Sequence, residues 1–491
     1  MPKKYIIAID QGTTSSRVVV VNKEGDVLYK EQMPVAINET RNGEILQDPQ
    51  ELIDSVLVLL DRTFKRHQID PNEVCSIGIT NQRETTIMWD KNTGKAFYNV
   101  ISWQSKHTID ITNDWISRGY EEMVLRKTGL KINPYFSASK IKYILDVCKP
   151  NIDNVMFGTV DTYLLWHLTK RQVFKTDITN ASRTLLYNIF EEKWDDEILE
   201  KFEIPKSILP EVVDTDDYFG DFEYNGVKIP INAMIGDQQS SLFGHQCFNE
   251  GDLKATYGTG CFILINTNST PVISSSGLLT TPAWKIGGKT TYALEGSVFM
   301  AGAVVQWLRD DLKILRSANE SEQMALKSNT NDIYVVPAFV GLGTPYWDSQ
   351  VRASILGINR KTNQNDIIRA ALNSIGYQIE DVLKILKHEM NREITSISSD
   401  GGASRNNYLL QFQADISNLR VIQTKEMEVT ALGAAYIAGL KSGFWKNQQE
   451  IERNKKIKQL FYPRINENER NRLYSNWKRA VEATISFRPM K

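Results

Sequence analysis

The sequence predicts an α/β protein of two large units built on one repeated plan. Three observations lead to that reading. At 491 residues the chain is too long for a single core. Strand-like runs alternate with amphipathic helical segments, the rhythm of a layered α/β domain. The strand–turn–strand that opens the chain near Lys3 returns near Gly251.

In order along the chain, "YIIAID", "RVVVVN" and "VLYKEQM" read as three β-branched strands of a meander, the second turn being Glu24-Gly25-Asp26. "PQELIDSVLVLLDRTFKRHQ" places apolar side chains at helical spacing, with Pro49 at a position where helices begin. "VCSIGIT" and "TTIMWD" read as further strands. In the second half, "GDLKATYGTGCFILINT" again runs strand, Gly/Thr turn, strand, and "SISSDGGASRNNYLLQFQADI" runs strand, Gly-Gly turn, helix. The likeness is in pattern and not in letters. No low-complexity segment separates the halves, so a packed hinge is expected between units spanning 1–248 and 249–491. The charged stretch from Gln448 onward reads as a terminal amphipathic helix.

Composition narrows the function classes. A net charge of -1 leaves no basic footprint for nucleic acid and no polybasic membrane patch. No run approaches the roughly 18 apolar residues of a membrane span, and the apolar stretch after the basic start ends at Asp10, too soon for a secretory signal. Four scattered cysteines (Cys75, Cys148, Cys247, Cys261) form no CxxC pair, and five histidines (67, 107, 167, 245, 388) show no metal-ligand spacing. A cytoplasmic protein is expected, with no nucleic-acid or membrane partner. The sequence leaves the oligomeric state open, a homo-oligomer included.

Several constellations are suited to chemistry. "DQGTTSSR" offers a glycine, a row of hydroxyls, Asp10 as a carboxylate suited to Mg²⁺ and Arg17 as a countercharge for phosphate. The same letters suit an ordinary hairpin turn, and the order is not that of a P-loop. "YGTG" at 257 to 260 supplies a matching turn in the second half, and two such turns can grip phosphates from opposite sides of a cleft. Asp237, after an apolar run and before a helical stretch, reads as a helix N-cap, a general base, or both. Arg83 and Glu84 sit side by side at a strand end, where extended backbone points their side chains apart. They suit two separate contacts to a polyhydroxylated ligand, or else form a solvated charge pair. Trp103, Tyr135 and Phe262 are of a type more often found in cores than on ligands.

Taken together, "IDQGTTSSR", "ITNQRETT", "PYFSASK", "GDQQSSLFG", "YGTGCF", "ALEGSVFMAGAVVQWLRD", "VPAFVGLGTPYWD", "DGGASRNN" and "VTALGAAYIAGL" resemble, in order, the FGGY carbohydrate kinases that act on glycerol. The resemblance implies two duplicated ribonuclease H-like domains of the actin-like ATPase type around a central cleft. It implies transfer of the γ-phosphate of MgATP to a terminal hydroxyl of glycerol. Asp237 falls at the general base, with Gln238 beside it. Arg83, Glu84 and Tyr135 fall at the polyol hydroxyls, and Trp103 and Phe262 at its carbon backbone. Thr13, Thr14, Ser15 and Arg17 match the phosphate contacts, with Arg17 counted among the catalytic groups and Asp10 near the magnesium. Thr259, Gly302, Gln306, Gly402 and Asn406 match the remaining nucleotide contacts.

The chain departs from the family pattern at Glu44, Leu46, Lys106, His107, Tyr143, Ala353 and Asn373. None of these removes a proposed catalytic group, but a second shell changed at so many places bears on the choice of acceptor. Some members are controlled by phosphorylation of a histidine shortly before "GDQQ"; "YFGDFEYNGVKIP" contains none, so that control is expected to be absent. Two other readings stand beside glycerol phosphorylation. One is a kinase for another small polyol or ketose, and the other a non-catalytic nucleotide switch of the actin type.

Overall fold

The computed structural model describes residues 2–348 and 350–487. Its two large sheets share one order. In the first, six-stranded sheet, Tyr5–Gln11 pairs antiparallel with Ser15–Val21, and that strand with Val27–Pro34. On its other side Tyr5–Gln11 runs parallel to Val74–Asn81, which runs parallel to Val227–Gly236. In the seven-stranded second sheet, Leu253–Tyr257, Cys261–Asn268 and Lys289–Val298 repeat the meander, and Ser396–Asp400 and Arg420–Thr424 the parallel pair. The duplicated ribonuclease H-like order expected from the resemblance is therefore present.

The valine run of the second strand has a simple cause. Both faces of the first sheet are buried, and such strands read as continuous apolar runs. Ile7, Ile9, Val18 and Val20 face one core with Leu52, Val56 and Leu59 of the helix Pro49–Arg66, whose N-cap Asp48 accepts from the backbone N–H of Gln50 at 2.7 Å. Ile6, Ala8, Val19 and Val21 face a second core, closed by Leu432, Ala435 and Tyr436 of the helix Val429–Lys441. That helix follows the last parallel strand of the second sheet. One half of the molecule thus covers a face of the other.

Two glycine-bearing helices meet through bare backbone. The helix Asp237–Gly244 lies against Val429–Lys441 with almost nothing between them. A Cβ on Gly433 would stand 1.9 Å from the carbonyl oxygen of Ser240, and one on Gly244 2.1 Å from that of Val429. Gly78, in the central strand, would meet the Ala434 carbonyl at 2.3 Å. The Ser240 hydroxyl donates to the Thr430 carbonyl at 2.6 Å and ties the pair.

Two local expectations are corrected. The strand expected over "TTIMWD" is confined to Ile87–Asp90. Thr85 and Thr86 instead turn their hydroxyls to the Gln82 side chain at 2.9 Å and the Glu84 carbonyl at 3.0 Å, which bends the chain. The stretch from Gln448 is not one helix but a short helix Gln448–Glu452, a strand Ile457–Phe461 and a helix Glu467–Ser486. The strand pairs with Arg420–Thr424, and Asn466 restarts the helix by accepting from the Glu469 N–H at 2.9 Å. No helix among the described residues is long and apolar enough to cross a membrane.

Gly433→Ala tests the backbone contact. The methyl has no room and its nearest contact is the Ser240 main-chain carbonyl, so the urea midpoint is expected to fall by the equivalent of about 3 kcal/mol, the upper end for overpacking.

Candidate active site

The two Gly/Thr turns occupy equivalent places in the two sheets and line one cleft of about 240 Å³. Their carbonyls are tied off from behind. The Thr13 carbonyl accepts from Gln47 Nε2 at 2.8 Å and the Thr14 carbonyl from the Val35 N–H at 2.9 Å. The Thr259 carbonyl accepts from the N–H groups of Ala301 and Ala303 at 2.9 and 3.1 Å, and that of Gly258 from Gly302 at 2.8 Å. The side chains of Thr14 and Thr259 stand exposed. Ser15 also lines the cleft, its hydroxyl accepting from Gln32 Nε2 at 3.2 Å.

Asp10 and Arg17 face each other across the first hairpin, with Arg17 Nη1 donating to Asp10 Oδ2 at 2.9 Å. Burial lifts the Asp10 carboxyl, and the neighbouring Arg17 guanidinium opposes the shift. Arg17 Nε makes no hydrogen bond and faces the Glu428 carboxylate at 3.9 Å, while the side chain borders the cleft. Among the described residues no group of three His, Cys, Asp or Glu side chains is arranged to hold a metal. The single Asp10 carboxylate beside these hydroxyl-bearing turns fits Mg²⁺, which takes one or two carboxylates and completes its shell with phosphate oxygens and water.

Asp237 does not cap its helix. Gly236 holds that position, and Asp237 is the first helical residue, its Oδ1 accepting from the Gln238 N–H at 2.7 Å. About a quarter of its side chain stays open to the cleft, and Arg83 Nε approaches Oδ1 at 3.3 Å. Partial burial raises its carboxyl above the usual range, with Arg83 opposing. Gln238 turns its Oε1 to Lys254 Nζ at 2.5 Å.

Arg83 and Glu84 take separate partners and approach each other only to 3.8 Å, although the strand ends at Asn81 and the backbone that parts them is bent and not extended. Both are sealed from water, so they are not a solvated surface pair. Arg83 grips Glu295 with two hydrogen bonds of 2.6 and 3.0 Å and donates to Gln239 Oε1 at 3.1 Å. Glu84 accepts from Arg183 Nε at 2.6 Å, and Arg183 Nη2 reaches Glu295 at 3.2 Å. Burial alone would lift the Glu295 carboxyl, but the Arg183 and Arg83 guanidiniums overcome it and hold it down to about 2. Glu84 sits at φ +60°, a conformation few non-glycine residues adopt. Trp103 stands edge-on to Tyr135 and Phe262, with centroids 5.6 and 6.2 Å away, and its Nε1 donates to Thr13 Oγ1 at 2.9 Å. These three aromatic residues line the cleft rather than a closed core.

Beyond Gly258 and Thr259 the cleft opens into a larger cavity of about 620 Å³, lined by Gly302, Gln306, Gly402 and Asn406 among others. Gly401 is required there: its φ is +87°, and a Cβ would fall 2.6 Å from the Tyr257 carbonyl oxygen. The Asn406 side chain is already engaged, accepting from the Leu409 N–H at 2.9 Å and donating to Ser321 Oγ at 3.1 Å. All residues picked from the sequence thus border one continuous space.

Sequence reasoning missed Arg183, Glu295 and Lys254 as parts of the site. The available signal was a charge alone among apolar neighbours, as in "YALEGSV". Of the departures, Glu44, Tyr143 and His107 meet one another. Glu44 Oε1 accepts from Tyr98 Oη at 2.7 Å and Tyr143 Oη at 3.4 Å, and the His107 ring meets the Tyr143 ring edge-on at 4.5 Å. Asn373 accepts from Tyr408 Oη at 2.7 Å, and Ala353 is exposed. None of these five lines the cleft.

Residues 5–244 match the N-terminal domain, and residues 253–442 the C-terminal domain, of the FGGY family of carbohydrate kinases. The chain is 46% identical over 495 residues to a glycerol kinase of Staphylococcus epidermidis, covering 99% of both chains. It is equally similar to one from Bacillus anthracis, covering 99% of this chain and 100% of the other. Among solved structures it resembles Plasmodium falciparum glycerol kinase with ADP, at TM-score 0.91 and 34% identity over 99% of each chain. A xylulose kinase from Lactobacillus acidophilus, 23% identical with TM-score 0.86 over 98% of this chain and 99% of that one, shares the fold.

Glu295→Gln is expected to leave two buried arginines without their shared countercharge. Equilibrium denaturation should show a loss of about 3–5 kcal/mol, the range for breaking a buried pair from one side.

Proposed function

The chain belongs to the FGGY family of carbohydrate kinases, and on that premise we propose that it transfers the γ-phosphoryl group of ATP to a terminal hydroxyl of glycerol, giving sn-glycerol 3-phosphate. The observation that carries the proposal is the placement of Asp237 on the cleft bordered by both Gly/Thr turns, next to the larger cavity.

The chemistry follows from that placement. Asp237 takes the proton of the attacking hydroxyl as its oxygen bonds to phosphorus and the bond to the ADP oxygen breaks. Phosphoryl transfer asks the protein mainly for positioning and charge neutralisation. Arg83, Glu84, Tyr135 and Gln238 serve as the hydrogen-bonding set for the polyol, and Trp103 and Phe262 close on its carbon face. Thr13, Thr14, Ser15, Arg17 and Thr259 receive the phosphates, with the Arg17 guanidinium balancing charge. Asp10 is the ligand suited to magnesium, which when bound neutralises phosphate charge. Gly302, Gln306, Gly402 and Asn406 line the rest of the nucleotide cavity. In this reading 1–248 carries most of the polyol site and 249–491 most of the nucleotide site. Closure of the two halves keeps water from the transferring group.

A coupled assay across glycerol, dihydroxyacetone, erythritol, ribulose and xylulose should give the highest kcat/KM with glycerol. Turnover of a pentulose with none of glycerol would overturn the acceptor assignment. Asp237→Asn should lower kcat about 10²–10⁴-fold, the usual range for a general base, while ATP binding persists. Because burial lifts the Asp237 carboxyl, kcat/KM should begin to fall, as the pH is lowered, above the pH of about 3.9 at which an ordinary aspartate titrates.

A further inference from the structure

The turn that carries Tyr135 is organised by a lysine with no assigned role. Lys140 lies in the first turns of the helix Ser137–Cys148, and its side chain is fully buried. Its Nζ donates to three consecutive carbonyls, those of Pro134 at 2.6 Å, Tyr135 at 2.9 Å and Phe136 at 3.0 Å. This is an unfavourable place for an ammonium. Helix N-termini favour anions, and burial pulls this group down to about 7. The residue at the cap, Phe136, makes no side-chain cap bond, so the carbonyls are gathered by the lysine and not by a capping side chain.

What the turn presents is the polyol end of the cleft. The Tyr135 ring meets Trp103 edge-on, and its N–H is fixed by Asn133 Oδ1 at 2.9 Å. One residue past Phe136, the Ser137 hydroxyl donates at 2.9 Å to the carbonyl of Glu84, the residue held at positive φ. The same turn therefore sets both a ring and a strained backbone on the acceptor side.

We propose that Lys140 is a positioning residue for the acceptor: by drawing the carbonyls of Pro134, Tyr135 and Phe136 onto one ammonium, it fixes Tyr135 and, through Ser137, Glu84. It touches neither nucleotide cavity nor phosphate turn. The inference rests on the acceptor reading above for the roles of Tyr135 and Glu84.

The parent enzyme is first assayed on the polyol and ketose panel, which tests the acceptor reading by itself; Lys140 is then tested on the acceptor the parent uses. Lys140→Met should raise the acceptor KM at least tenfold, change kcat less than that, and leave the KM for MgATP within twofold. Lys140→Gln, which keeps two N–H donors, should recover part of the loss. In a Tyr135→Phe background the Met substitution should cost much less than in the parent, since the lysine acts through that residue. Should Lys140→Met fail to fold, Lys140→Arg serves, because a planar guanidinium cannot converge on three carbonyls, and the same KM split is expected. A folded variant with unchanged acceptor KM, an equal loss in both substrates, or full additivity with Tyr135→Phe would overturn the proposal.

Discussion

Two arginines and two glutamates are locked together between the sheets, and much of the site depends on their balance. Arg83, Arg183, Glu84 and Glu295 are all sealed from water. Any one of them alone would be too costly to bury, so the four must be placed as a set. Glu295 comes from a strand of the second sheet, whereas Arg83 follows a strand of the first. The array therefore fixes this end of the cleft, which we propose holds the acceptor, relative to the second half. It also leaves Arg83 with a third approach, to Asp237, so that carboxylate stands beside a guanidinium that is already neutralised elsewhere. A carboxylate in that setting keeps a raised proton affinity without being trapped in a tight ion pair, which suits the base role proposed for it.

The phosphate side is organised differently, by geometry more than by charge. Two hairpins at matched places in duplicated sheets offer their turns to one space. The carbonyls of Thr13, Thr14, Gly258 and Thr259 are occupied from behind. Removing acceptors from the cleft matters as much as supplying donors, because an unpaired carbonyl would repel a phosphate oxygen. The charge array and the tied turns lie at different parts of the cleft, which is the basis for proposing separate polyol and phosphate ends.

Much of this was legible in the sequence, for physical reasons that differ by element. The valine run and its meander were readable because β-branched strands buried on two faces leave little ambiguity. The Gly/Thr turns were readable because they recur. Asp237 was readable as a residue but not as a helix position, since a good capping letter does not reveal that Gly236 takes the cap. Arg183, Glu295 and Lys140 were not assigned roles, because their partners lie dozens of residues or whole domains away, or on carbonyls that carry no letter at all. The strand Ile457–Phe461 was hidden inside a segment whose charge density suggested continuous helix; pairing with a distant strand decided it.

The valine-rich strand that opens the chain has its second face covered by Val429–Lys441, a helix from the other end of the sequence. The halves are thus repeats without being modules. Cutting the chain between them would strip a sheet of its lid and expose Ile6, Ala8, Val19 and Val21 together, a flat apolar surface of the kind that associates with its own copies. Whatever ancestral duplication the matched sheets record, it can no longer be undone by separating the two parts, and the shared lid has made a single heritable unit of them.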